Sequence, residues 1–496
     1  MSQDSWISRN VSKWLPKEGG RKPVSPAADQ PRVVTKGSAA AKGSAPVRSI
    51  RERLQAALRQ KGEALSPRVL RRVLQELQGV IDGRVSEVEG GRRAASLATW
   101  YAGATLERRR DMWLLMSEQF MADVQKVKAA QAQYAAALGT PDEAAAEVHF
   151  RRATVSPRRR LLQRFSASPD GVAFLVDVRA EMQPFLKGDK RLLALDVEME
   201  YMFSTWFDVG FLDLRRISWD SPASLIEKLI AYEAVHDIKS WADVKNRLDS
   251  DRRCYGFFHP RLSGVPLIFV EIALVDELAS QIAPLLDESA APADIKNAST
   301  AIFYSISNTQ AGLRGVSFGD SLIKRVVDSL KEEFPKLKTF STLSPIPGFR
   351  SWIAKNADML LDKLDDKERE ALGRAVGFNP PRAEHFFTAV DSAAGLSEKS
   401  PVRALLMRSA AQYLGQAFDG DKPLDAVARF HLGNGARVER INWAGDLSVK
   451  GNKQSYGLMV NYLYDLRRLD KHRSLLAQGK IPMSASVQAL LDGGIV

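Results

Sequence analysis

The sequence holds a single cysteine, Cys254, among its 496 residues. No intrachain disulfide can form, which suits a reducing compartment and leaves out cysteine-rich zinc and iron–sulfur sites. Long apolar runs are missing too. The best candidate, Val265 to Val275, falls short of the ~18 residues of a membrane span and carries Glu271. The six histidines are His149, His236, His259, His385, His431 and His472. None stands at metal-ligand spacing from another, which speaks against a zinc enzyme. No glycine loop matches a Walker A motif or the dinucleotide fingerprint. Acids are scarce at the start, where Asp4, Glu18 and Asp29 are the only ones before Arg51. Residues 1–48 are rich in Ser, Ala, Gly, Pro, Lys and Arg, sustain no helical period, and read as a disordered basic tail or an organelle transit peptide. No internal repeat is present.

What is there has the composition of a soluble globular protein, with 45% hydrophobic and 8% aromatic residues. The length implies two to four domains at roughly 150 residues each. The net charge of +12 admits nucleic acid, an anionic membrane surface or a small polyanion as partner, or reflects the tail alone. Helices begin at Ser49, which with Glu52 has capping-box spacing, and again at Ser66-Pro67. Val69, Leu70, Val73, Leu74, Leu77, Val80 and Ile81 then fall on one helical face. Amphipathic stretches continue to about residue 200 with almost no β-branched alternation. Residues 49–200 therefore read as an all-helical bundle, a scaffold or oligomerisation domain. Arg108-Arg109-Arg110 and Arg158-Arg159-Arg160 are either solvated faces or phosphate contacts.

From 201 to 496 strands and helices mix, which argues an α/β or α+β domain. Phe211 to Ile217 is strand-like. Tyr255–His259 and Pro266–Leu274 form a hairpin pattern, and Asp276–Leu286 reads as helical. The most informative stretch is Phe303 to Phe349. It runs from a strand through a glycine-bearing turn into an amphipathic helix with Leu322, Val326, Val327 and Leu330, then into a second strand, Thr339–Leu343, ending in a Ser-Pro-x-Pro-Gly corner. Glycines before a helix let backbone amides approach a phosphate, so Arg314 to Gly319 is either a phosphate loop or an ordinary strand-to-helix loop. Ser344 is either a presented hydroxyl or a turn residue. His431, before the Asn434-Gly435 turn, is the general acid–base candidate by position, or a half-buried structural histidine. The aromatic run ending at Tyr464 is either core or a source of a phenol.

The blocks FYSISNTQAGLRGV, GDSLIKRVVDSLKEEFPKLKTFSTLSPIPGF and ARFHLGNGARVERINWAGDLSVKG, with YGLMVNYLY following, resemble the malonyl-CoA decarboxylase family. The likeness extends upstream through WFDVGFLDLRRISWDSPASLIEKL and FFHP, about 250 residues in all. The resemblance implies an α + α/β architecture: an N-terminal helical bundle, then a GNAT-like mixed-sheet catalytic domain (the fold of the N-acetyltransferases). It implies that Arg314, Gly315, Val316, Ser317, Phe318, Gly319 and Asp320 hold malonyl-CoA, with Ser317 where that loop's first glycine would stand. Ser344 matches the family's catalytic serine, His431 its catalytic histidine and Tyr464 an active-site tyrosine, with Ser344 and His431 also touching substrate. Decarboxylation to acetyl-CoA and CO2 uses the thioester as its own electron sink, so no cofactor and no metal is expected. His431 would deliver the proton, and a charged His431 would help to hold the substrate. Ser344 would bind the carboxylate or accept a proton. Lys324 and Arg325 are placed for the adenosine phosphates.

A homo-oligomer, a tetramer by the resemblance, is expected, with no membrane or nucleic-acid partner. The expected location is the cytoplasm, or the mitochondrial matrix if the N-terminus is a transit peptide. Two alternatives stay open: an acyl-CoA-dependent N-acyltransferase on the same fold, and a basic nucleic-acid-binding protein, for which no zinc module or helix-turn-helix signature is present.

Overall fold

The computed structural model describes residues 67–316, 322–391 and 395–493. The Ser49–Glu52 capping box, the basic tail and Ser317 to Asp320 lie outside these residues. The described residues belong to one compact unit.

The first part is helical, as the periodicity predicts. Its helices are α1 (Pro67–Ile81), α2 (Glu87–Ala102), α3 (Leu106–Glu118), α4 (Val124–Ala137), α5 (Glu143–Thr154), α6 (Pro157–Ala167), α7 (Gly171–Met182) and α8 (Leu193–Trp206). Local chemistry starts several of them. Pro157 occupies the first turn of α6, and the Ser86 and Asp123 side chains accept backbone N–H groups at the heads of α2 and α4. Trp113, fully buried on α3, donates to the Tyr101 hydroxyl, which in turn donates to Glu181 on α7. The arginine clusters staple this layer. Arg158 is buried and donates to the carbonyls of Met116, Ser117 and Ala194. Arg109 does the same at Tyr101, Ala102 and Ala104, and pairs with Glu181 at 2.6 Å. Among their acceptors, Ala102, Met116 and Ser117 stand at helix C-termini, where carbonyls have no intrahelical partner.

The second part is built on a mixed sheet. Its strands are β1 (Asp213–Ile217), β2 (Arg252–Phe258), β3 (Pro266–Val275), β4 (Thr300–Asn308), β5 (Thr339–Thr342), β6 (Ser344–Pro345), β9 (Arg437–Asn442) and β10 (Met459–Leu463); β7 (Phe418–Asp419) and β8 (Lys422–Pro423) form a separate two-stranded ribbon. The order is β1-β2-β3-β4-β5-β10, with β6 and β9 also paired to β10. Only β4 and β5 are parallel. A helical first part followed by a mixed sheet is the architecture expected from the sequence. The hairpin expected around residues 260–265 is β2–β3.

The helices of this part are α9 (Ala223–Tyr232), α10 (Trp241–Arg247), α11 (Leu322–Glu333), α12 (Phe349–Asp362), α13 (Asp366–Val376), α14 (Ala383–Asp391), α15 (Pro401–Gln416), α16 (Ala426–Gly433), α17 (Val449–Ser455), α18 (Leu469–Ala477) and α19 (Ala485–Asp492). Helix α11 buries Leu322, Ile323, Val326, Val327 and Leu330, each worth about 1.5–3 kcal/mol of transfer free energy. The helix expected over Asp276–Leu286 does not form; only Ala283–Leu285 make a 3-10 turn. Its backbone groups bond elsewhere. Leu278 O accepts from Arg440, Ala279 O from Asn461, and the Ile282 N–H reaches Gly445 O.

Candidate active site

Two local departures from regular pairing shape the centre of the sheet. First, β4 and β5 pair only as far as Phe303 and Thr342, and the Leu343 N–H then bonds Phe303 O. Tyr304, beside this point, is the extra residue of a bulge against β3. Beyond it β4 runs on to Asn308 without β5. Second, side chains replace ladder bonds between β5 and β10. The Tyr462 N–H donates to Thr342 Oγ1 (3.1 Å), Asn461 Nδ2 to Thr342 O (2.7 Å), and Ser341 Oγ to Tyr462 O (3.0 Å). Ser341 is thus spent on the backbone. Ser344 follows on β6, in register with Val460, and Pro345 stands opposite Met459; Pro345 and Pro347 have no N–H to donate, so the pairing stops there.

Helix α16 brings His431 to this point. Asp425 caps it, its Oδ1 accepting the N–H groups of Val427 and Ala428 at 2.9 Å, while its Oδ2 accepts from the Tyr413 hydroxyl. The chain then turns through Asn434 and Gly435. Gly435 has φ 86°, with the Leu469 backbone against it, so a side chain there is excluded twice over.

The structure brings Ser344, His431 and Tyr464 together. Ser344 Oγ lies 3.2 Å from His431 Nε2, and His431 Nδ1 lies 2.7 Å from the Tyr464 hydroxyl. Ser344 Oγ is also 2.9 Å from Thr342 Oγ1. One set of directions satisfies all of these groups: Tyr464 O–H donates to Nδ1, Nε2–H to Ser344 Oγ, and Ser344 O–H to Thr342 Oγ1. This assigns the tautomer from the network. Tyr462 stacks on the imidazole with ring centres 4.7 Å apart and planes 26° apart.

Burial sets the electrostatics. Desolvation pushes the His431 pKa down to about 3, so the ring is neutral near pH 7. The same cause raises the Tyr464 phenol well above its ordinary value. A charged resting His431, expected from the sequence, is therefore replaced by a neutral one whose Nε2–H is already aimed at Ser344.

Arg314, Gly315 and Val316 line a cavity of about 530 Å³ between the loop after β4 and helix α16. Neither Ser344 nor His431 lines it. Phe430 touches both sides: it borders the cavity, and its ring stands edge-on to His431 at 5.1 Å. The loop is held from the helical layer. Arg179 of α7, 2% exposed, donates to Gly312 O and Arg314 O at 2.9 Å each and pairs with Asp196 and Glu200. Gly312 packs so closely on Val176 that a Cβ would collide with its carbonyl. Arg325 is engaged within the protein: it donates to Val209 O and Leu212 O and lies over the Phe257 ring. Lys324 is exposed. Sequence reasoning missed Thr342 and Tyr462. The alternation Val460, Tyr462, Tyr464 along one strand was the available signal for Tyr462, since i and i+2 share a face.

Comparison with known proteins gives this arrangement its context. A family model described as the malonyl-CoA decarboxylase C-terminal domain matches residues 210–495, and one for the malonyl-CoA decarboxylase N-terminal domain matches residues 120–207. The mitochondrial malonyl-CoA decarboxylase of Anser anser anser is 34% identical over 395 residues, 76% of this chain and 78% of that one. That of Mus musculus is 37% identical over 361 residues, 70% of this chain and 73% of that one. Among solved structures, malonyl-CoA decarboxylase from Cupriavidus metallidurans shares 41% identity and a TM-score of 0.70, covering 86% of this chain and 100% of that one. The Rhodopseudomonas palustris structure shares 38% identity and a TM-score of 0.73, over 84% and 99%. The chain belongs to the malonyl-CoA decarboxylase family.

Proposed function

We propose that this chain is a carboxy-lyase that converts malonyl-CoA to acetyl-CoA and CO2 without a cofactor, with His431 as proton donor and Ser344 as the group that binds the malonyl carboxylate. The observation that carries this reading is the imidazole of His431, bonded on one nitrogen to Ser344 and on the other to Tyr464. The segment from Arg314 to Asp320 holds the CoA portion, with Arg314, Gly315 and Val316 on the cavity wall, and the malonyl arm passes Phe430 to reach Ser344.

The chemistry follows from these groups. The bond between the α-carbon and the carboxylate breaks, and its electron pair moves into the thioester to give an enolate. Ser344 holds the carboxylate turned out of the thioester plane, the geometry in which that bond overlaps the carbonyl. The enolate carbon is a much stronger base than an imidazole ring that has lost its N–H proton. Neutral His431 is therefore acid enough to deliver its Nε2 proton to that carbon. Tyr464 passes its hydroxyl proton to Nδ1 in the same movement, so the ring stays neutral. Tyr464 regains a proton from solvent, which accounts for the one proton consumed per turnover.

The test is an assay of malonyl-CoA with no amine acceptor present. Release of CO2 with stoichiometric acetyl-CoA supports the reading. Intact malonyl-CoA overturns it and favours an acyltransferase. H431N should lower kcat by at least about 100-fold, the usual span of a lost general acid, and S344A should lower it as well. Near-full CO2 release by H431N would remove His431 from this role.

We further propose a homo-oligomer assembled through the helical part. Leu193, Val197 and Tyr201 support it, since all are exposed and lie one turn apart along α8. Light scattering in solution tests this.

A further inference from the structure

The cavity between the loop after β4 and helix α16 has an unusual charge balance. Among the described residues that line it are two arginines, Arg314 and Arg429, and no aspartate or glutamate. Arg314 comes from the loop and is exposed. Arg429 comes from α16, also exposed, two positions before His431. Its Nε is committed to Pro423 O at 3.1 Å, which fixes the plane of the guanidinium. The two terminal nitrogens have no hydrogen-bond or ion-pair partner among the described residues. Glu200 stands behind the loop, 3.7 Å from where a Cβ on Gly315 would sit, and Arg179 already engages it at 3.1 Å. Among the described residues most other arginines engage a carboxylate or carbonyl through a terminal nitrogen, so two cations without such a partner border one space.

We infer that Arg429 is a second binding cation of this cavity, taking a phosphate group of the CoA ester together with Arg314, and that it sets a preference for phosphate-bearing thioesters over phosphate-free ones. The inference rests on the malonyl-CoA reading and adds a residue that the sequence did not single out. A guanidinium anchored at Nε offers its two terminal N–H groups as a fixed fork, the geometry that suits phosphate oxygens. Because Arg429 and His431 share one short helix, a ligand gripped by the first is located with respect to the second.

The experiment compares wild type, R429Q and R429K on malonyl-CoA and on malonyl-pantetheine, which carries the same reacting end without phosphates. In R429Q the ratio of kcat/KM for malonyl-CoA over malonyl-pantetheine should fall about tenfold, chiefly through KM, as expected for one charge-assisted contact. R429K should recover part of it. Equal losses on both thioesters would make Arg429 a wall of the cavity and overturn the inference; an unchanged ratio would overturn it as well. Calorimetric titration with CoA itself separates this from the reaction. R429Q should bind CoA about tenfold more weakly, with a shallower salt dependence. If wild type binds CoA but releases no CO2 from malonyl-CoA, the decarboxylase reading fails while the Arg429 assignment stands on the titration. If wild type turns over and R429Q titrates like it, Arg429 alone is wrong.

Discussion

The Tyr464 hydroxyl lies 2.7 Å from Nδ1 of His431, on the side of the ring away from Ser344. Both groups are buried and neither has a charged partner. The phenol therefore decides which ring nitrogen carries the proton. Y464F removes that donor while keeping the ring. It should lower kcat about 10- to 100-fold with little change in KM, read in steady-state CO2 release. An unchanged kcat would show that Tyr464 only fills space.

Thr342 supports both halves of the site. Its hydroxyl accepts from Ser344 and from the Tyr462 N–H. T342V keeps the shape and removes the acceptor. The buried Tyr462 N–H then has no partner, at a cost of about 1–3 kcal/mol in unfolding free energy by denaturant titration. Ser344 loses its anchor, so kcat should fall as well.

The pH behaviour follows from burial. His431 has a native pKa near 3 against 6.5 in the unfolded chain, and His236 is lowered to about 4 by the same desolvation. Between these values the unfolded chain binds more protons than the native one. Stability contributed by keeping the rings neutral is present above 6.5 and lost as pH falls, with a slope of about 1.4 kcal/mol per pH unit for each ring over its window. Denaturant midpoints taken from pH 7 down to pH 5 should decline, and less steeply in H431N. The kcat profile should show no titration near 6.5, because the working form of His431 is the neutral one. A kcat that falls as pH rises through 6.5 would restore the charged histidine.

Arg179 holds two carbonyls of the loop after β4, the proposed CoA loop, with one buried guanidinium. R179M leaves Asp196 buried beside an apolar side chain and should cost about 3–5 kcal/mol. R179K keeps a charge but cannot reach four partners at once. Its expected signature is a raised KM for malonyl-CoA with kcat largely kept, since Ser344, His431 and Tyr464 are untouched.

Much of this site could be read from residues, for reasons that differ by position. Helix α11 was legible because its five buried side chains repeat at helical spacing, and β2 to β5 because β-branched and aromatic runs are bounded by turn residues. Asp276–Leu286 was misread because its backbone partners, Arg440, Gly445 and Asn461, lie more than 150 residues away. The pairing of Ser344 with His431 has no local signal at all, since 87 positions separate them. A family resemblance placed both residues in one site before any geometry did. What no pattern could show was neutrality: the His431 shift comes from complete burial under Tyr462, Tyr464 and Phe430. Arg429 escaped notice because an exposed arginine on a short helix looks like any other until the opposite wall is known.

The carbonyls of Gly312 and Arg314 are held by a side chain that precedes them by more than 130 residues. A fragment starting at Leu212 would keep the serine, the histidine and the tyrosine and still arrive without that clasp. It would own the groups proposed to react and lack the support of the loop proposed to hold their substrate. The stretch between the two matched family segments is therefore a seam in description and a poor place to cut.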